Sequence, residues 1–230
     1  MPSAERASLT YAFDAYCPWC YGFGPALRAF AEDNAHRIRL GVLSAGLYTG
    51  ARVRPVAAYP HLSAERDRIA RLTGVVFGAG HERALSQGTT VLDSVAAAAG
   101  LSALRDQPGI SELDVAEAVQ RAWFVDGRGL SDAAVYRDVA DELGGDADAV
   151  AAAYASPAGR VKARADFRAL RRLRVTSYPT LLLHTPHGAG QMGGAASTAA
   201  SLTAALEQRL TTTIPKPSTH DLTSQGDDPS

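Results

Sequence analysis

The chain has 230 residues, a hydrophobic content of 46%, a charged content of 20% and a formal net charge of −1. These are the proportions of a globular protein able to bury its own core, as one large domain or a domain carrying an insertion. So balanced a charge offers no basic field to nucleic acid or an anionic membrane, and no apolar run reaches transmembrane length.

Residues Met1 to Ser8 include Glu5 and Arg6 and lead into no apolar stretch of signal-peptide shape. A cytoplasmic address is therefore expected, in a compartment that holds thiols reduced. Leu9-Thr10-Tyr11-Ala12-Phe13 reads as a buried strand, and Trp19, Phe23, Leu27 and Phe30 recur at the turn spacing of a helix. Between strand and helix stands the run Cys17-Pro18-Trp19-Cys20, which holds both cysteines of the chain. A strand thus delivers a dithiol to a helix N-terminus, where unpaired N–H groups and the positive end of the helix dipole stabilise a thiolate. Cys17, nearer the helix start, fits the attacking thiol, and Cys20, one turn inward, fits the resolving thiol.

Two other uses of such a pair are weaker. Tetrahedral zinc wants four N or S ligands, and among His36, His61, His81, His184, His187 and His220 only the loose His184 and His187 come near a paired spacing. A stapling disulfide across so short a loop constrains the unfolded chain little. No metal and no bound organic cofactor are expected.

Ile38-Arg39-Leu40-Gly41-Val42-Leu43 reads as a second strand, so the chain opens strand–helix–strand, the unit that places parallel strands side by side. From about Pro60 to Leu173 the pattern predicts helices in series with no strand among them. Each has a capping signal: Thr90 with Asp93, Ser111 with Asp114, Ser131 before Asp132, and Ser156 with Pro157 at the first helical position. Apolar stripes follow the caps, as in Val115, Val119, Ala122 and Trp123. The Ala-rich stretches 96–99 and 151–153 fit close helix packing. Strand character returns at Thr180-Leu181-Leu182-Leu183. A turn-rich piece with Gly188, Gly190, Gly193 and Gly194 follows, and a helix is expected over about 197–210. From Thr211 onward Pro215, Pro217 and Pro229 mix with polar residues, the composition of a disordered tail. Four stretches result: 1–59 with the dithiol, 60–173 as a helical insertion and return helix, 174–210 as the second half of the strand-bearing fold, and 211–230 as the tail.

This layout resembles the thioredoxin fold of the DsbA type, an α/β fold of order βαβ…ββα with a large helical insertion. Val175-Thr176-Ser177-Tyr178-Pro179-Thr180 resembles the V-x-G-x-P-T segment that sets a cis-proline beside the active cysteines in that superfamily, with Ser177 where glycine is common. Pro25 resembles the proline that bends the first helix of thioredoxins. Tyr16-Cys17-Pro18-Trp19-Cys20-Tyr21-Gly22-Phe23 is similar to the C-x-W-C-Y-G segment of the FrnE-like, cytoplasmic protein-disulfide isomerase branch. Val91-Leu92-Asp93-Ser94 and Leu130-Ser131-Asp132 agree with it. The likeness covers roughly residues 9–210.

The resemblance implies a thiol–disulfide oxidoreductase, a reductase or isomerase of protein, peptide or small-thiol disulfides, with glutathione as a further partner. It places Cys17 and Cys20 as the redox pair, Pro18 and Trp19 as tuning residues, and Tyr178-Pro179, if cis, as the edge that holds a substrate backbone. Pro18-Trp19 adds no charge beside the Cys17 sulfur, where DsbA proteins typically carry a histidine, so a pair less oxidising than a periplasmic DsbA is expected. Trp19 either offers an aromatic face to substrate or is a core or lid residue. Asp14 either caps the helix or accepts a proton from Cys20. Arg164, Arg168, Arg171, Arg172 and Arg174 read as a solvated helix face able to attract carboxylates. Relatives of this fold with serine at the first cysteine are glutathione transferases or isomerases, an alternative that both cysteines here oppose. A third reading is a redox-gated binding or chaperone module.

Overall fold

The computed structural model describes residues 6–213. Its sheet is built on β1 (Ala7–Phe13), which lies between β2 (Ile38–Ser44) and β5 (Thr180–Thr185), with β6 (Gly188–Gly194) outside β5, giving the order β2-β1-β5-β6. β1 and β2 run parallel, Leu9 facing Leu40, because α1 (Pro18–Asp33) carries the chain back between them. β5 runs antiparallel to β1, Leu9 facing Leu183, and β6 runs antiparallel to β5. Alternation along β1 divides the core. Leu9, Tyr11 and Phe13 pack with Phe23, Leu27 and Phe30 of α1, while Ala12 faces Leu182, Leu170 and Val175 on the other side of the sheet.

Between β2 and β5 lie seven α-helices: α2 (His61–Thr73), α3 (Ala79–Gln87), α4 (Ser94–Arg105), α5 (Glu112–Phe124), α6 (Ala133–Glu142), α7 (Ala147–Ala155) and α8 (Pro157–Arg172). Ala96, Ala97, Ala98 and Ala99 of α4 are all buried, so these small residues do serve close packing. The expected absence of strands in this region fails at one place. β3 (Arg54–Pro55) pairs antiparallel with β4 (Val91–Leu92), two residues each, too short for an alternation to register. This pairing also moves a cap. The Thr90 carbonyl accepts from Val56 N at 2.8 Å, which keeps the chain extended, and Asp93 alone caps α4 by accepting from Val95 N and Ala96 N. Asp132, not Ser131, caps α6, whereas Ser111 caps α5 and Pro157 opens α8 as expected.

The glycine-rich piece is strand β6, not a run of turns. A Cβ on Gly193 would stand 2.2 Å from Leu202 Cδ2, so the absent side chain lets α9 (Ala199–Thr213) settle on the strand. The tail expected from Thr211 thus begins inside α9, and its remainder, 214–230, lies outside the described residues. Arg164, Arg168, Arg171, Arg172 and Arg174 are exposed. His184 of β5 is hydrogen-bonded to Thr10 Oγ1 at 2.7 Å, and His187 sits in the β5–β6 turn.

The outer edge of β2, a strand edge that would otherwise expose unpaired backbone groups, is covered by side chains from the helices. Val42 N donates to Glu112 Oε2 at 2.6 Å, Ser44 N donates to Asp166 Oδ2 at 3.1 Å, and the Arg105 guanidinium donates to the Val42 carbonyl. Arg105 also holds Asp166 at 3.0 Å. Nothing in the local sequence pattern signals this lattice. No helix among the described residues is long and apolar enough to cross a membrane.

Candidate active site

β1 ends at Phe13 and the chain turns into α1 through Asp14, Ala15 and Tyr16. Cys17 is the N-cap of α1, extended at φ −80° and ψ 112°, and Pro18, which has no N–H to leave unpaired, takes the first helical position. The Cys17 sulfur accepts a hydrogen bond from Cys20 N at 3.3 Å, the place a serine or aspartate oxygen takes in an ordinary cap. Both cysteines are thiols in this structure. Cys17 is 5% exposed and Cys20 0%. Burial pushes the Cys20 thiol well above its ordinary range; Cys17 adds to the rise, and a bond to the Asp14 backbone works against it. The two sulfurs are thereby distinguished: one caps a helix at the edge of a groove, the other is sealed and resists ionisation.

The Tyr178-Pro179 peptide is cis, and the Cys17 thiol lies 3.8 Å from the Tyr178 carbonyl. Residues 161 positions apart in the chain thus meet at the dithiol. In front of Cys17 opens a groove of about 470 Å³. Pro18 and Trp19 border it, as do Gly46, Leu47, Tyr48 and Arg52 after β2, His61, Leu62 and Glu65 of α2, and Thr176, Ser177 and Tyr178. Sequence reasoning missed the members from 46 to 65, which carry no motif and reach the site only through the return of β2 and the placement of α2.

Trp19 is half-buried and points to α2. Its indole N–H donates to Glu65 Oε1 at 2.8 Å, and the Arg68 guanidinium carbon stands 5.6 Å from the ring centroid, within cation–π range. Gly22 makes this approach possible, since a Cβ there would stand 2.7 Å from Ile69 Cγ2. Tyr16 is clamped from the helical side: its hydroxyl accepts from Leu130 N at 3.0 Å, and its ring meets Trp123 edge-on at 5.4 Å. His81, beneath Trp123, is a core residue whose burial lowers its pKa to about 4 and keeps it neutral.

Asp14 is not the cap of α1, a position Cys17 fills. It is 1% exposed, and its two oxygens accept from Tyr16 N at 3.0 Å and Leu47 N at 2.9 Å. It therefore ties the strand-to-helix turn to the segment after β2. Desolvation raises its pKa to about 6, against the pull of these two N–H groups, the Ser94 hydroxyl and the Arg52 charge.

The arrangement has relatives. The search of curated proteins found no match. Among solved structures, the cytosolic disulfide reductase DsbM from Pseudomonas aeruginosa is 27% identical, with a TM-score of 0.74, over 89% of this chain and 99% of that one. A structure of the same protein with GSH gives a TM-score of 0.72. A putative protein disulfide isomerase from Nitrosomonas europaea shares the fold at 17% identity and a TM-score of 0.78, over 91% of this chain and 100% of its own. The family model for the DSBA-like thioredoxin domain matches residues 9–206. With the matched segment running from β1 into α9, the chain belongs to the DSBA-like thioredoxin domain family and is, in general terms, a thiol–disulfide oxidoreductase or isomerase.

Proposed function

We propose that this protein is a disulfide reductase or isomerase that works through Cys17 and Cys20 on protein, peptide or small-thiol disulfides, in a cytosolic pool and with glutathione as the reducing partner. The observation that carries this reading is the asymmetry of the pair. Cys17 caps α1 at the edge of a groove, 3.8 Å from the Tyr178 carbonyl, while Cys20 is sealed behind it. The likeness to a cytosolic disulfide reductase that has been seen with GSH favours the compartment and the partner.

The Cys17 thiolate attacks one sulfur of the substrate disulfide, forming a mixed disulfide and releasing the other sulfur as a thiolate. Cys20 then loses its proton and attacks the Cys17 sulfur, which releases the second substrate thiol and leaves a Cys17–Cys20 disulfide. Two glutathione molecules reduce it and leave as glutathione disulfide. The backbone edge at Tyr178-Pro179 holds the substrate chain alongside Cys17. Asp14 is assigned as the group that takes the Cys20 proton, because a carboxyl whose pKa is raised to about 6 is ionised near neutral pH, and Asp14 is buried close enough for its charge to act on the Cys20 thiol. Trp19, held by Glu65 and packed against the core on one side, forms a wall of the groove beside Cys17.

The test is turnover of a glutathionylated peptide with glutathione and a glutathione reductase couple. The wild type should consume NADPH, and Cys17→Ser should not. Equal rates for the two proteins would refute the assignment.

A further inference from the structure

The groove before Cys17 carries charges of both signs, and they are not equally available. Glu65 is engaged, its Oε1 taking the Trp19 indole N–H at 2.8 Å. Asp14 is buried behind Leu47. Arg52 is different. It is exposed, one Nη donates to the Gly46 carbonyl at 3.2 Å, and it makes no ion pair among the described residues. That is the guanidinium's one hydrogen bond among the described residues, and Arg52 lines the groove, so the rest of its donor fork is open to a planar carboxylate, which two parallel hydrogen bonds can meet. Its charge is felt at both Asp14 and Tyr178, at the latter together with that of Arg171, so Arg52 is a cation within reach of the Cys17 end of the groove.

We propose that Arg52 makes the groove selective for disulfides bearing a carboxylate near the scissile sulfurs, whether small thiol acids or peptides with an acidic residue beside the cysteine. This rests on Cys17 being the attacking thiol. An anion bound at Arg52 would lie in the same groove as the Cys17 sulfur, while a cationic disulfide would meet repulsion there.

The test compares kcat/KM for three small disulfides, 3,3′-dithiodipropionate (anionic), bis(2-hydroxyethyl) disulfide (neutral) and cystamine (cationic), in wild type, Arg52→Gln and Arg52→Lys. The anionic-to-neutral ratio should fall about ten-fold in Arg52→Gln, the size of one lost charge-assisted hydrogen bond, and recover in part in Arg52→Lys. Peptide mixed disulfides with Glu or Gln beside the cysteine separate the two substrate sources: a ratio that moves for the peptides alone assigns Arg52 to acidic peptides, and for the small disulfides alone to thiol acids. A ratio unchanged in Arg52→Gln for every pair, with turnover intact, would overturn the role of Arg52 alone. No turnover of any disulfide by the wild type would overturn the Cys17 reading and this one with it.

Discussion

Two buried carboxylates, Asp14 beside the dithiol and Asp166 on the outer edge of β2, are used in opposite ways. Desolvation raises the pKa of both. Asp166 answers it with a guanidinium, Arg105 at 3.0 Å, whose charge is the largest force pulling the pKa back, and with Ser44 N at 3.1 Å. Asp14 has only dipoles in contact, Tyr16 N, Leu47 N and the Ser94 hydroxyl, with the Arg52 charge the smallest of its stabilising influences. A paired buried ion fixes a strand edge, whereas an ion held by dipoles alone stays able to gain and lose a proton near neutral pH. On the proposed mechanism, the difference separates a carboxylate that serves the scaffold from one that handles a proton.

The comparison can be broken most easily at the sulfurs. Cys17→Ser should lower disulfide turnover to background while leaving thermal unfolding nearly unchanged, because serine caps a helix as well as cysteine does. A large fall in Tm would show that the sulfur has a structural role as well. Cys20→Ser should instead accumulate mixed disulfides on Cys17, visible as mass adducts.

At the β2 edge the expected effects are reversed. Arg105→Met leaves Asp166 buried without its cation and should cost about 3 kcal/mol in urea unfolding. Turnover per folded molecule should be retained, and a selective loss of activity would erase the distinction drawn between the two sites.

For Asp14 the sign of the pH dependence decides. Its folded pKa, about 6, lies above the ordinary 3.8, so the folded state holds the proton more tightly than the unfolded chain. The associated stability is fully present below the unfolded value and is lost as pH rises toward about 6, by at most about 1.4 kcal/mol per pH unit. Asp14→Asn should remove that slope between pH 4 and 6 and should slow the release of mixed disulfide in single-turnover experiments. Retention of the slope in the variant would assign it to another group. The smallest effect belongs to Glu65→Gln, which keeps an oxygen for the Trp19 indole: stability should move by less than about 1 kcal/mol.

Much of the dithiol end was legible in the sequence, because it is encoded locally. Cysteine spacing, the strand before it, Pro18 at the helix start and the apolar repeat Phe23, Leu27 and Phe30 all bear on one short segment. Tyr178-Pro179 lies far along the chain and was found through resemblance alone. What could not be read depends on partners chosen by the fold. Arg105, Glu112 and Asp166 look like ordinary helix-surface charges until β2 lies beneath them. Glu65 and Arg52 become groove walls only when α2 and the segment after β2 arrive at Cys17. Thr90 gave a false cap because its carbonyl is claimed by Val56 N. Gly193 reads like a turn residue because close packing and tight turns both favour glycine, and only the position of Leu202 shows that packing is the reason there.

The central claim is that Cys17 attacks and Cys20 resolves. It is tested most directly by brief alkylation of the fully reduced protein with iodoacetamide at neutral pH, followed by peptide mass mapping. The account predicts label on Cys17, with Cys20 modified only after unfolding, since that thiol is sealed and its pKa lies well above the ordinary range. Label appearing first on Cys20 in the folded protein would contradict it.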